Sequence, residues 1–172
     1  MRPRLLFPVT IGLSDGIITS LMIAASRMAE PSSVSAYFAL RVAAGSAIVG
    51  MFSFFVAEYS RLRNELSRSS RQLGYPSPSF LLRTRLGRSI LVEAITGTSA
   101  SGVSGFTGAL IPLAAAAFTL SPYAPFLAAF VSLVLLGIGL ARAVSGSYIT
   151  WPTGMLALGI LMALVGMALH IT

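Results

Sequence analysis

Five runs of apolar residues, near 6–27, 36–58, 90–118, 124–143 and 152–171, occupy most of this 172-residue chain. Each is about as long as the ~20 residues that a helix needs to cross the hydrocarbon core of a bilayer. Only 10% of the residues are charged, against about 25% in an ordinary soluble domain. That leaves too little polar surface to cover five apolar helices in water. The expected fold is all-α, an integral membrane bundle of five transmembrane helices forming a single membrane domain over 1–172. The same figures exclude a soluble globular enzyme and a disordered chain, which needs low hydrophobicity and high charge.

The breaks between runs carry turn chemistry. Glu30, Pro31, Ser32 and Ser33 separate the first two, Ser121 and Pro122 the third and fourth, and Ser145 to Pro152 the last two. The segment 59–89 differs from the others. It holds Arg61, Arg63, Arg68, Arg71, Arg83, Arg85 and Arg88 with one acid, Glu65. Positive charge favours the cytoplasmic side of a membrane, so this basic loop is expected inside. Two spans precede it, which places Arg2 and Arg4 inside as well, and Arg142 after the fourth span follows. Ten of the twelve arginines then lie on one side, with Arg27 and Arg41 on the other. The N-terminus is cytoplasmic on this count and the C-terminus, with His170, outside. A cleaved signal peptide would also begin basic and end on small residues such as Ala24 to Ser26. Asp15 in the middle of the run, and the run's length, argue against one.

Within the basic segment Tyr59, Leu62, Leu66 and Leu73 recur at helical spacing. The second span is therefore expected to continue as an amphipathic helix until Pro76 and Pro78 stop it. Its natural partner is a lipid bilayer with anionic headgroups. The pI near 11 comes from these arginines, and with no recognisable binding motif in the segment no nucleic acid is expected as a partner.

There is no cysteine, and the lone histidine is His170. Thiolate sites, most zinc sites and a Ser-His-Asp arrangement are thereby removed. No phosphate-binding glycine loop, HExxH or catalytic serine motif is present, so the chain is not expected to be an enzyme. What remains is a set of acids in or beside the spans. A carboxylate at the centre of a membrane helix costs about 2.5–3.5 kcal/mol, and such a residue marks a pathway or bundle interior by default. Asp15 lies well inside the first span, within Gly12-Leu13-Ser14-Asp15-Gly16-Ile17-Ile18-Thr19-Ser20. The glycines let another backbone approach, and Ser14, Thr19 and Ser20 add oxygen ligands. The alternative for Asp15 is a structural hydrogen-bond acceptor paired with an arginine.

Glu58 closes the second span. Met51, Phe54 and Glu58 follow at i, i+3 and i+7 and share a helical face. A thioether above a carboxylate suits Fe(II) better than Mg(II), whereas the structural alternative for Met51 is packing. Glu93 opens the third span as an entrance carboxylate or an interfacial charge, and Glu30 sits in an external turn. In the third span Gly97, Ser101, Gly105 and Ala109 recur every four residues, a stripe suited to close helix packing. Thr96, Thr98, Ser99, Ser104 and Thr107 make this span polar, through internal hydroxyl bonds or a hydroxyl-lined path. Pro112 is expected to kink or end it. Asp15-Gly16-Ile17-Ile18-Thr19 also faintly echoes Glu93-Ala94-Ile95-Thr96-Gly97, as a parallel repeat would.

Taken in order, Gly12 to Ser20 (GLSDGIITS), Met51 to Leu62 (MFSFFVAEYSRL), Gly108 to Leu113 (GALIPL) and Leu135 to Gly146 (LLGIGLARAVSG) resemble the vacuolar iron transporter family over nearly the whole chain. The resemblance implies a five-span homodimer that exports Fe(II) or Mn(II) from the cytoplasm in exchange for protons. It needs no resident cofactor, because the metal is cargo. The host membrane it implies is the inner membrane in a prokaryote or a vacuolar-type membrane in a eukaryote. The family's pathway aspartate falls on Asp15 and its glutamate after span two on Glu58. Its pathway methionine falls on Phe54, which cannot ligate metal, and Met51 one turn away is the candidate replacement. The family's glutamate-rich cytoplasmic region is absent, as in nodulin-like members.

A dimer also follows from charge. One Asp15 cannot replace the hydration shell of a divalent cation, whereas two, brought together on a two-fold axis along span one with Ser14 and Thr19 from both chains, could do so. Such a pair would share a proton that metal entry releases. The expected metal-binding set is therefore Asp15, Glu58, Met51, Ser14, Thr19 and Glu93. Two other functions remain open: a non-transporting membrane scaffold or assembly protein in which Asp15 pairs with Arg41 or another cation, and a carrier of anions drawn to the arginines.

Overall fold

The computed structural model describes residues 3–26, 35–72, 85–118, 121 and 123–169. Arg2, Arg27, the break at Glu30 to Ser33, Leu73, Pro76, Pro78, Arg83, Pro122 and His170 lie outside the described residues. Five helices follow one another: α1 (Pro3–Ser26), α2 (Ala36–Gln72), α3 (Arg85–Phe118), α4 (Ala124–Ala143) and α5 (Thr150–Leu169). Among the described residues there is no strand. All five helices are long and apolar enough to cross a membrane. Each coincides with one of the apolar runs.

The helical continuation expected of the second span is present, whereas the third helix starts earlier than the apolar run at 90, so the basic connection is shorter than 59–89. α2 continues to Gln72, and α3 begins already at Arg85. Leu62 and Leu66 of this extension are buried in the protein. α3 also runs through Pro112 to Phe118, so the proline does not end it. A proline inside a membrane helix is tolerated where neighbours re-satisfy the freed backbone, and Pro112 is fully buried.

α1 is the central helix and touches each of the other four. On one side Ile17, Leu21 and Ala25 enter a core with Phe126, Ala129, Leu133 and Leu136 of α4 and Ala163 of α5. On another side it meets α3 backbone to backbone. A Cβ on Gly12 would collide with the Ser101 carbonyl and the Ser104 hydroxyl, and one on Gly16 with the backbone of Gly105 and Ala109. Lower down, Pro8 lies against Gly97. Pro8 with Gly97, Gly12 with Ser101 and Gly16 with Gly105 rise together, so the two helices run parallel. Hydrophobic burial does not drive helices together in lipid, and close van der Waals contact through small residues does. The stripe of Gly97, Ser101, Gly105 and Ala109 thus packs as its spacing predicts.

α2 runs antiparallel to α3. Met51 packs into the notch at Gly102, and the Phe54 ring stands 3.0 Å from where a Cβ on Gly97 would be. α4 and α5 form an antiparallel pair through Gly137 against Pro152 and Gly159 against Leu133. This alternation puts the start of α1, the far end of α2, the start of α3 and the α4–α5 connection at one end of the bundle. Arg61, Arg63, Arg68, Arg88 and Arg142 lie at that end, and Arg41 lies near the other. Outward faces are bulky and apolar: Ile48, Val49 and Phe52 on α2, Leu127, Val131 and Leu135 on α4, Leu161 and Leu164 on α5.

Candidate functional site

Asp15 sits on α1 at the turn where Gly12 and Gly16 hold that helix against α3. Those glycines fix its height and its direction. With one side of α1 taken by α3 and another by α4 and α5, the Asp15 side chain is left on the remaining face, in line with exposed Phe7 and Ile11. It is exposed from the single chain and reaches toward α2. A Cβ built on Gly50 would stand 3.1 Å from Asp15 Oδ2, so the missing side chain at Gly50 makes the space that the carboxylate occupies. Among the described residues no ion pair or hydrogen bond holds that carboxylate. Arg41 instead lies over the Tyr37 ring, 5.3 Å from its centroid.

Ser14 and Thr19 flank Asp15 on α1, both half-buried. The Ser14 hydroxyl donates to the Ile11 carbonyl at 2.9 Å, which leaves its oxygen free to accept or to ligate. Ser20 does not face this site. It is fully buried and donates to the Ile17 carbonyl at 2.8 Å. On α3 the hydroxyls of Thr96, Thr98, Ser99, Ser104 and Thr107 all donate to carbonyls of their own helix. That span's polarity therefore resolves into internal hydrogen bonds.

Glu58, at the arginine-rich end, belongs to a different level. It lies two helical turns beyond Gly50, about 12 Å at 1.5 Å per residue. Arg61 grips it through Nε to Oε2 at 3.0 Å and a terminal nitrogen to Oε1 at 2.7 Å. The same guanidinium reaches Glu65 Oε1 at 2.8 Å. The antiparallel register of α2 and α3 that joins Phe54 to Gly97 brings Glu93 to the height of Glu58. Glu93 contributes to the electrostatic field at Arg61. The Glu58 side chain is 14% exposed, whereas those of Arg61 and Glu65 are more than half exposed. Arg61 thus bridges Glu58 and Glu65 with Glu93 near by, a grouping that the separated sequence positions did not announce.

The expected metal-binding residues thus fall into two levels: Asp15 with Ser14 and Thr19 part-way along α1, and Glu58 with Glu93 at the arginine-rich end. Met51 lies between them along α2 but faces α3. Among the described residues no group of three or more His, Asp and Glu side chains could hold a metal ion within one chain. Sequence reasoning passed over Gly50, which shapes the space at Asp15, and Ser53 one turn along on the same helix. Their signal was a small and polar strip in an otherwise bulky span. The echo between Asp15 and Glu93 does not match the packing register, in which Asp15 lies level with Ser104. No family model, curated protein or solved structure matches the chain.

Proposed function

We propose that this protein is an integral membrane carrier of divalent transition metal, Fe(II) or Mn(II), exporting the ion from the cytoplasm in exchange for protons. In this reading the five helices span the membrane with the N-terminus inside and the C-terminus outside. The membrane is the inner membrane of a prokaryote or a vacuolar-type membrane of a eukaryote. Two copies meet along α1 so that the Asp15 side chains face one another across the pathway.

The observation that carries the proposal is the Asp15 carboxylate, open on the surface of an apolar helix with no cation or donor against it among the described residues. A charge in that position cannot face lipid without a large cost. A second copy of α1, water and a passing cation would relieve it together. The ordered likeness to vacuolar iron transporters supports the same function. A scaffold that keeps Asp15 as half of a resident ion pair is favoured less, since Arg41 is engaged with Tyr37.

Proteoliposomes loaded with a metal-sensitive dye test the proposal. Purified protein is expected to admit Fe(II) or Mn(II), and Asp15→Ala to abolish that flux while the protein remains folded in detergent. Unchanged flux in Asp15→Ala would remove the residue from the mechanism.

A further inference from the structure

Resting on the carrier reading, we infer that the cation subsite at Asp15 is built from oxygen alone, that Ser53 supplies its ligand from α2, and that it therefore prefers hard divalent ions of the Mn(II) class to soft ones.

Three observations carry this. Gly50 of α2 lies beside Asp15, whose Oδ2 would stand 3.1 Å from a Cβ there. Ser53, at i+3 from Gly50, lies on the same helical face. Helical side chains lean toward the N-terminus of their own helix, so Ser53 covers the strip beside Gly50 and not the turn beyond it. Ser53 is exposed, and among the described residues its hydroxyl makes no hydrogen bond, unlike the α3 hydroxyls bound to their own backbone. It is, among the described residues, an oxygen without a partner, one turn along α2 from the glycine that Asp15 approaches.

The third observation removes sulfur. Met51 is the thioether nearest in sequence to Gly50, and its side chain fills the notch at Gly102 on α3. Its Sδ stands 2.7 Å from where a Cβ on Gly102 would be. Neighbouring helical residues point about 100° apart, so Gly50 turned to α1 and Met51 turned to α3 is what one helix allows. A thioether seated against α3 is not presented to an ion at Asp15. Carboxylate and hydroxyl oxygens suit Mn(II) and other hard ions, whereas thioether and thiolate favour soft ones.

The test compares Mn(II) and Cd(II) entry into dye-loaded proteoliposomes for the wild-type chain, Ser53→Ala, Ser53→Cys and Met51→Leu, with melting temperatures in detergent as the folding control. The wild type is expected to favour Mn(II). Ser53→Ala should lower Mn(II) flux several-fold with an unchanged melting temperature. Ser53→Cys should move the ratio toward Cd(II), since a thiolate favours softer ions than a hydroxyl does. Met51→Leu should leave the ratio where it was. If both Ser53 variants keep the wild-type ratio, or Met51→Leu shifts it, the oxygen-only subsite is wrong although metal transport stands. If the wild type moves neither ion nor Fe(II), the carrier reading itself fails.

Discussion

The Asp15 carboxylate occupies space that Gly50 leaves open, with Oδ2 3.1 Å from where a methyl group would begin. That is closer than the 3.4–4 Å of ordinary van der Waals contact. Gly50→Ala is expected to push the carboxylate by a few tenths of an ångström and to lower metal flux. Gly50→Val should lower it further. At Gly45, on the same helix, a methyl group would have nothing within 4 Å, so Gly45→Ala should leave flux unchanged. Initial uptake rates in proteoliposomes check all three.

The α1–α3 contact should be far less forgiving than the Asp15 face. A Cβ on Gly16 meets backbone atoms of Gly105 and Ala109, which cannot rotate away as a side chain would. Overpacking a filled interior costs typically about 1–3 kcal/mol, and a clash with backbone belongs at or above the upper end of that range. Gly16→Val is expected to lower the melting temperature in detergent strongly. Gly139→Val, at a position with open space, should barely change it.

How far the sequence reached can be judged from particular residues. The five helices were legible because a bilayer-length apolar run has few other uses. The small-residue stripe of α3 was legible because its four-residue period survives whatever partner it meets. Its register with α1 was not, since nothing in one helix says which turn of another will face it. Met51, Phe54 and Glu58 do share a face, as their spacing implies. That this face turns to α3, and leaves Gly50 and Ser53 beside Asp15, depends on how α2 is rotated. Rotation is set by three-dimensional packing at Gly97 and Gly102, and a one-helix pattern does not encode it.

α4 ends in a left-handed residue that is not glycine. Ser145 has φ 53°, and the Gly146 amide donates to the Ala141 carbonyl at 2.9 Å, the closing bond of a Schellman-type cap. An L-residue in that conformation costs about 1–2 kcal/mol relative to the right-handed region. Ser145→Gly should therefore stabilise the chain, by up to about 1 kcal/mol once the greater freedom of glycine in the unfolded state is counted. Gly146→Ala should do the opposite, because its Cβ would meet the Trp151 indole. Thermal unfolding of both variants separates the two effects.

Arg61 neutralises Glu58 at the arginine-rich end of the bundle. Arg61 is open to water but Glu58 is 14% exposed, so removing the arginine should lower stability by about 1–3 kcal/mol. The loss should also act on cations. With Arg61→Ala, Glu58 and Glu65 lose their shared positive partner, and Glu93 loses a positive charge near by. A divalent ion approaching them then gains attraction of about 1 kcal/mol in water-like surroundings, which corresponds to an apparent KM lower by roughly fivefold. High salt should erase the difference, because the Debye length falls to about 3 Å at 1 M. Uptake titrations at low and high ionic strength decide it.

The orientation can be tested directly because the chain has no cysteine of its own. Ser35 precedes α2 at the end away from most arginines, and Ser147 lies between α4 and α5 at the arginine-rich end; both are exposed. If the basic end lies in the cytoplasm, as proposed from the positive-charge rule, Ser35→Cys should react with a membrane-impermeant maleimide added to intact cells. Ser147→Cys should react only after permeabilisation. The reverse pattern would invert the bundle and turn the proposed export into import. Labelling of both sites from the same side would mean that α2, α3 and α4 do not all cross the membrane.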